Sequence, residues 1–184
     1  SVIRVEPKLD AGPILAQRQM AIGEDENAGE LADRLAALGA DAVADIVNRL
    51  AAGEELPGRP QPRRGGFFAR KLTKADGRID WSLPPEGMHN RVRGLTPWPG
   101  AYCDLRTEGR SHRVSLLRTA RTRGTAERQH HEPGTVIRAG KDGILVETGG
   151  GPITVTRLKP SGGRAMDAAD FVRGHRMKPG DKFC

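Results

Sequence analysis

Residues 57–66 read P-G-R-P-Q-P-R-R-G-G, with three prolines and no apolar residue. A run of this kind cannot enter a sheet interior or continue a helix, because each proline lacks an N–H and fixes φ. It reads as an extended connector, and it obliges the chain to form separate structures on its two sides. The sides also differ in charge. Residues 1–65 hold 8 basic and 11 acidic side chains, a net of −3, whereas residues 66–184 hold 22 and 12, a net of +10. A local excess of that size attracts polyanions and makes nucleic acid the first partner to consider for the second half, although basic side chains on a merely solvated surface give the same composition.

Before the connector, a strand-like run (Val2, Ile3, Val5) leads to a turn at Leu9 to Pro13 and to a second apolar run at Ile14 and Leu15. From about 28 to 52, Leu31, Leu35, Leu38, Val43, Ile46, Val47 and Leu50 recur at three- and four-residue spacings, which predicts an amphipathic helix. Asn27 with Glu30 fits a capping pair and Gly53 a stop, while Gly39 is expected to divide the region into two shorter helices. After the connector, Pro84 and Pro85 predict a short helix capped by Asp80 or Ser82, with Met88, Val92 and Leu95 on one face. Strand patterns follow at 101–106, 112–120, 134–138, 144–148 and 153–159, separated by Gly- or Pro-containing turns, and a last helix is expected over 167–173, stopping at Gly174. About five short strands suggest a small barrel, an architecture that commonly binds oligonucleotides on one face.

No stretch approaches the ~18 apolar residues of a membrane span, and no basic-then-apolar leader opens the chain, so the expected compartment is the cytoplasm. The chain begins at Ser1, inside a strand pattern and without Met, as if more sequence preceded it. Cys103 and Cys184 lack the clustering of a zinc site or a disulfide framework and read as free thiols. His130 and His131 beside Glu132 have no third ligand at metal spacing, and Gly149 to Gly151 suit a hairpin turn rather than a phosphate cradle, so no metal is expected. Trp81 at a helix entry and Trp98 between two prolines are positions where a large ring usually packs a seam, which gives both a structural role.

Three blocks carry a family resemblance. K-L-T-K-A-D-G-R-I-D-W over residues 71–81, R-G-L-T-P-W-P over 93–99 and L-K-P-S-G-G-R-A-M over 158–166 resemble, in order, the C-terminal domain of methionyl-tRNA formyltransferases. L-D-A-G-P-I-L over 9–15 is similar to the turn that ends that family's catalytic domain, with Ala11, Lys8 and Phe67-Phe68 departing from its usual Thr, Gly and Thr-Tyr. The resemblance implies an α+β chain: residues 1–56 as the C-terminal remnant of a Rossmann-like formyltransferase domain, 57–66 as linker, and 67–184 as a small open, OB-like β-barrel that binds tRNA. It places a catalytic role on Asp10. The basic residues in and beside the matching blocks, Lys71, Lys74, Arg78, Arg91, Arg93, Lys159 and Arg164, become the candidates for phosphate contact.

The implied reaction passes a formyl group from 10-formyltetrahydrofolate to the amino group of initiator methionyl-tRNA. The expected chain is monomeric, with no membrane or DNA partner. The family's Asn-x-His pair and Ser-Leu-Leu-Pro loop have no counterpart among these residues, which predicts a chain incomplete for catalysis. A non-catalytic RNA-binding module and a formyltransferase acting on a sugar nucleotide are the alternative readings; the charge of the second half and the 71–81 block favour tRNA.

Overall fold

The computed structural model describes residues 1–8, 10–62, 68–107, 110–122 and 131–184. The chain divides into two units, Ser1–Lys71 and Leu72–Cys184. Residues 63–67 of the expected linker and domain start, and His130 of the expected loop, lie outside the described residues.

In the first unit, β1 (Val2–Ile3) and β2 (Ile14–Ala16) pair antiparallel across the expected turn. The connector runs extended beside β2, exchanging Ile14 N–H to Arg59 O and Arg59 N–H to Ile14 O, both 2.8 Å. Helix α1 (Ala28–Ala51) carries the predicted capping box: Asn27 Oδ1 accepts from the backbone N–H of Gly29 at 2.9 Å and of Glu30 at 3.0 Å, and Glu30 Oε2 accepts from Asn27 N–H at 3.0 Å. Gly53, with φ +81°, follows its end. Gly39 does not divide the helix, which runs unbroken for 24 residues. One glycine costs a helix only about 1 kcal/mol, and the alanines and leucines around it outweigh that. α1 buries Ala42 and Ile46, while Leu35, Val43, Val47 and Leu50 remain exposed.

The second unit contains the five predicted strands as β3 (Ala101–Thr107), β4 (Arg110–Arg121), β5 (Val136–Gly140), β6 (Gly143–Thr148) and β7 (Gly151–Pro160). Two short strands that the sequence pattern did not signal, β8 (Met166–Asp167) and β9 (Lys182–Phe183), complete the sheet. Its order is β5-β6-β7-β4-β3-β9, with β8 paired to β7, and every pairing is antiparallel. The two ends nearly meet. Val136 N–H donates to Asp181 O, Phe183 N–H to Gly134 O and Gly180 N–H to Val136 O at 2.8 to 2.9 Å, giving a nearly closed, barrel-like sheet.

Inward-facing Leu105, Val114, Leu116, Ile144, Ile153 and Leu158 fill the interior, as strand alternation dictates. Helix α2 (Pro85–Gly94) adds fully buried Met88 and Val92, and α3 (Ala168–His175) adds Phe171. α2 is not capped by Asp80 or Ser82, because its N-cap is Pro84. Asp80 instead holds the preceding turn, Oδ1 accepting from Ser82 Oγ at 2.6 Å and Ser82 N–H at 3.0 Å, and these bonds hold its carboxyl below the usual range. α3 passes Gly174 and ends where Arg176 turns left-handed at φ +50°, since the His175 ring stacks on Phe171 at 3.9 Å and so extends the last turn. Gly149 and Gly150 form the expected β6–β7 hairpin turn, and Gly151 opens β7 opposite Thr148. Among the described residues no helix is long and apolar enough to cross a membrane.

Candidate nucleic-acid interface

Strand register assembles the outer face of the barrel unit. Tyr102 on β3 pairs with Ser115 on β4, which pairs in turn with Lys159 on β7, and directly paired residues lie on one side of a sheet. One row along, Asp104 pairs with Arg113, and two residues back from Lys159, Arg157 faces Arg118. These side chains point away from the core because their neighbours Cys103, Val114 and Leu158 point into it.

Tyr102 is the hub. The Arg113 guanidinium lies 5.0 Å from its ring centroid, a cation–π contact, and Arg113 Nε also donates to Asp104 Oδ1 at 3.2 Å. At the other edge of the ring a 3-10 turn, Lys74–Gly77, presses in. Gly77 permits this, since an added Cβ would collide with the Gly100 carbonyl oxygen and lie 3.1 Å from Cδ1 of Tyr102. Asp76 fixes the turn by accepting from Thr73 N–H at 2.7 Å and Thr73 Oγ1 at 2.8 Å. Beyond it Arg78 bridges to Tyr102, whose carbonyl accepts from Ile79 N–H at 2.9 Å.

Of the seven predicted phosphate ligands, three border this face and a fourth follows in the loop after β7. Lys74 and Arg78 arrive on the turn, Lys159 on β7, and Arg164 in the loop after β7, where Ser161 N–H donates to Arg113 O at 2.9 Å; all four side chains are exposed. Arg91 is directed inward, its Nη2 donating to the carbonyl oxygens of Asp76 at 2.6 Å and Arg78 at 3.4 Å, so it braces the turn from beneath. Arg93 donates from Nε to Asn90 Oδ1 at 2.8 Å on α2. Lys71 closes the first unit.

Arg113, Arg118 and Arg157 belong to the same face and went unnoticed in the sequence. Their alternation along β4 and β7 was visible there, but which strand lies beside which was not. Arg157 is 3.6 Å from Asp167, and Arg113 is held by Asp104, so part of the positive charge is already matched within the fold.

The tryptophans separate. Trp81 is buried and stacked on Phe183, with centroids 5.2 Å apart, which is the structural role expected of it. Trp98 does not follow: it is 56% exposed. The prolines on either side constrain the backbone, but the fold turns the ring outward.

Asp10 stands in the first unit at φ +50°, a conformation that Asp adopts more readily than most residues. Gln61 Nε2 donates to the backbone carbonyls of Asp10 and Gly12, both at 2.8 Å, tying the connector to this turn. The Asp10 side chain is exposed, and no described residue bonds its carboxylate. Lys8 is exposed and Gln61 half-buried. Among the described residues no three His, Cys, Asp or Glu side chains converge as a metal site would require.

Comparison with known proteins assigns the chain. Residues 71–176 match the family described as formyl transferase, C-terminal domain. The methionyl-tRNA formyltransferase of Methylobacterium sp. (strain 4-46) is 40% identical over 100% of this chain and 56% of its own length, and that of Brucella anthropi is 39% identical over 96% and 55%. The chain thus spans about half the length of the curated relatives it matches. Among solved structures, HypX from Aquifex aeolicus superposes on 94% of this chain and 29% of its own with a TM-score of 0.64 at 17% identity. Its complex with tetrahydrofolic acid covers 92% of this chain and 29% of its own, with a TM-score of 0.59 at 16% identity, and at such identities the likeness concerns the fold alone. With the family match covering more than half of its residues, this chain belongs to the formyl transferases through their C-terminal domain.

Proposed function

We propose that this chain serves formyl transfer from 10-formyltetrahydrofolate to the amino group of initiator methionyl-tRNA, and that the barrel unit's part is to hold the tRNA. The observation that carries the reading is the outward face around Tyr102, where the Arg113 guanidinium lies over the ring, exposed Lys159 and Arg157 stand on a nearby strand, and exposed Lys74 and Arg78 lie on and just after the turn packed against it. Such cations neutralise phosphates and release counterions, which gives affinity and orientation without reading sequence. The nearly closed sheet acts as an OB-like platform, and residues 1–56 act as the end of a Rossmann-like catalytic layer. The protein works as a monomer in the cytoplasm, where initiator tRNA is formylated.

Asp10 is the catalytic candidate. Formyl transfer requires a neutral amine to attack the formyl carbon and hydrogen-bond donors to stabilise the oxygen that becomes negative. A carboxylate can orient a base or take part in proton movement, but it supplies no donor to that oxygen. With no described partner on the Asp10 carboxylate and no counterpart of the family's Asn-x-His pair among these residues, the 184 residues alone bind tRNA without turning over.

The test is titration of initiator methionyl-tRNA with this chain at low and moderate salt, alongside a formylation assay with 10-formyltetrahydrofolate. Salt-sensitive binding without product is the expected result. Absence of binding at low salt would remove the tRNA reading, and formylation by this chain would remove the account of Asp10.

A further inference from the structure

We propose that Trp98 is a stacking platform for an unpaired RNA base, an inference that rests on the tRNA reading above and identifies the part of the ligand this unit grips. The indole is 56% exposed, although its loop is anchored at both ends. Leu95 at one end and Ala101 at the other are buried in the core. Gly100 N–H donates to Leu95 O at 2.8 Å, closing the loop at its base, and Thr96 Oγ1 donates to Val92 O at 2.8 Å, fixing it to α2. Pro97 and Pro99 restrict φ on either side of Trp98. The ring is therefore held out by a structured backbone.

A large aromatic in water forgoes the burial that stabilises most tryptophans, and a rigid exposed indole is suited to offering its face to another flat group. The chemistry of the surroundings selects which one. The loop extends from the last turn of α2, which carries Arg93 and Asn90, and leads directly into β3 and Tyr102, the hub of the cationic face. An exposed aromatic ring close in the chain to a cationic face suits the way proteins hold single-stranded nucleic acid, since every base has a π-face and stacking tolerates any sequence. In a paired stem the bases are already stacked on one another, so the occupant is a base in a single-stranded end or loop.

The experiment compares a labelled RNA hairpin bearing a single-stranded 3′ tail with the same hairpin made blunt, titrated with the 184-residue chain and with its Trp98→Ala and Trp98→Phe variants across a salt series. The expected outcome is that Trp98→Ala weakens binding of the tailed hairpin by on the order of 10- to 100-fold. Blunt-hairpin affinity, the salt slope and the melting temperature should not change, and Trp98→Phe should restore most of the loss. Equal affinity of wild type and Trp98→Ala for the tailed hairpin overturns the proposal, as does an equal loss on both hairpins. A second readout needs no variant: iodide quenches exposed Trp98 in the free wild-type chain, and the tailed hairpin, not the blunt one, should protect it; no protection at saturating tailed hairpin also overturns the proposal. If the wild-type chain binds neither hairpin at low salt, the nucleic-acid reading itself falls, a result distinct from binding that ignores Trp98.

Discussion

Arg91 donates from Nη2 to the carbonyl oxygens of Asp76 and Arg78, whereas Lys159 stands exposed in line with Ser115 and Tyr102. The two cations should therefore respond differently to removal. Lys159→Ala is expected to leave the melting temperature unchanged and to lower the salt dependence of tRNA binding by about one phosphate contact, a slope change near 0.9. Arg91→Ala should leave two carbonyls without their donor and cost about 1–3 kcal/mol of stability, read by urea denaturation, while the salt slope of any folded variant stays as in wild type. Cys103 makes a different prediction. Burial, helped by the nearby Asp104 carboxylate, pushes its thiol well above the usual range, whereas Cys184 is half-buried. A thiol reagent near neutral pH should modify Cys184 first and reach Cys103 only on unfolding. Because the folded state favours the protonated thiol, its contribution to stability is complete below the unfolded thiol's value of about 8.5 and is lost as pH rises above it. The fall in urea midpoint between pH 8 and 10 should therefore be smaller in Cys103→Ala than in wild type.

At the scale of elements, α1 combines a good local design with little tertiary support. Asn27→Ala removes the cap and should cost the helix about 1 kcal/mol. The helix buries only Ala42 and Ile46, and its amides should exchange with solvent well before those of β4, which is paired on both sides; equal protection measured by hydrogen exchange would contradict this. The elements differ in how far the sequence announced them. α1, α2 and β3 to β7 were legible because periods of 3.6 and 2 repeat several times within each. β8 and β9 contain two residues apiece and form because neighbouring strands accept them, so no local pattern marks them. The same reasoning covers the site. Lys74, Arg78, Lys159 and Arg164 became candidates through the blocks they occupy, but the alignment of Lys159 with Tyr102, and the membership of Arg113 and Arg157, depend on cross-strand register. Trp98 was misread because the motif fixes its backbone and says nothing about which way the ring faces.

At the scale of the whole molecule, the barrel unit depends on its last residues. β9 pairs with β3, while Asp181 and Phe183 exchange backbone bonds with Val136 and Gly134 beside β5, and Phe183 also stacks on Trp81. Deleting residues 181–184 should cost the second unit its cooperative unfolding and shift the emission of Trp81 to the red, as water reaches a ring now buried against Phe183. The chain order of these strands also bears on synthesis. A ribosome delivers β3 through β7 long before β9, so during translation the nascent sheet carries two unsatisfied borders, one on β3 and one at β5. Such borders can recruit neighbouring chains. Codons that slow elongation between β7 and β9 would prolong that exposure, while rapid synthesis of this stretch would shorten it.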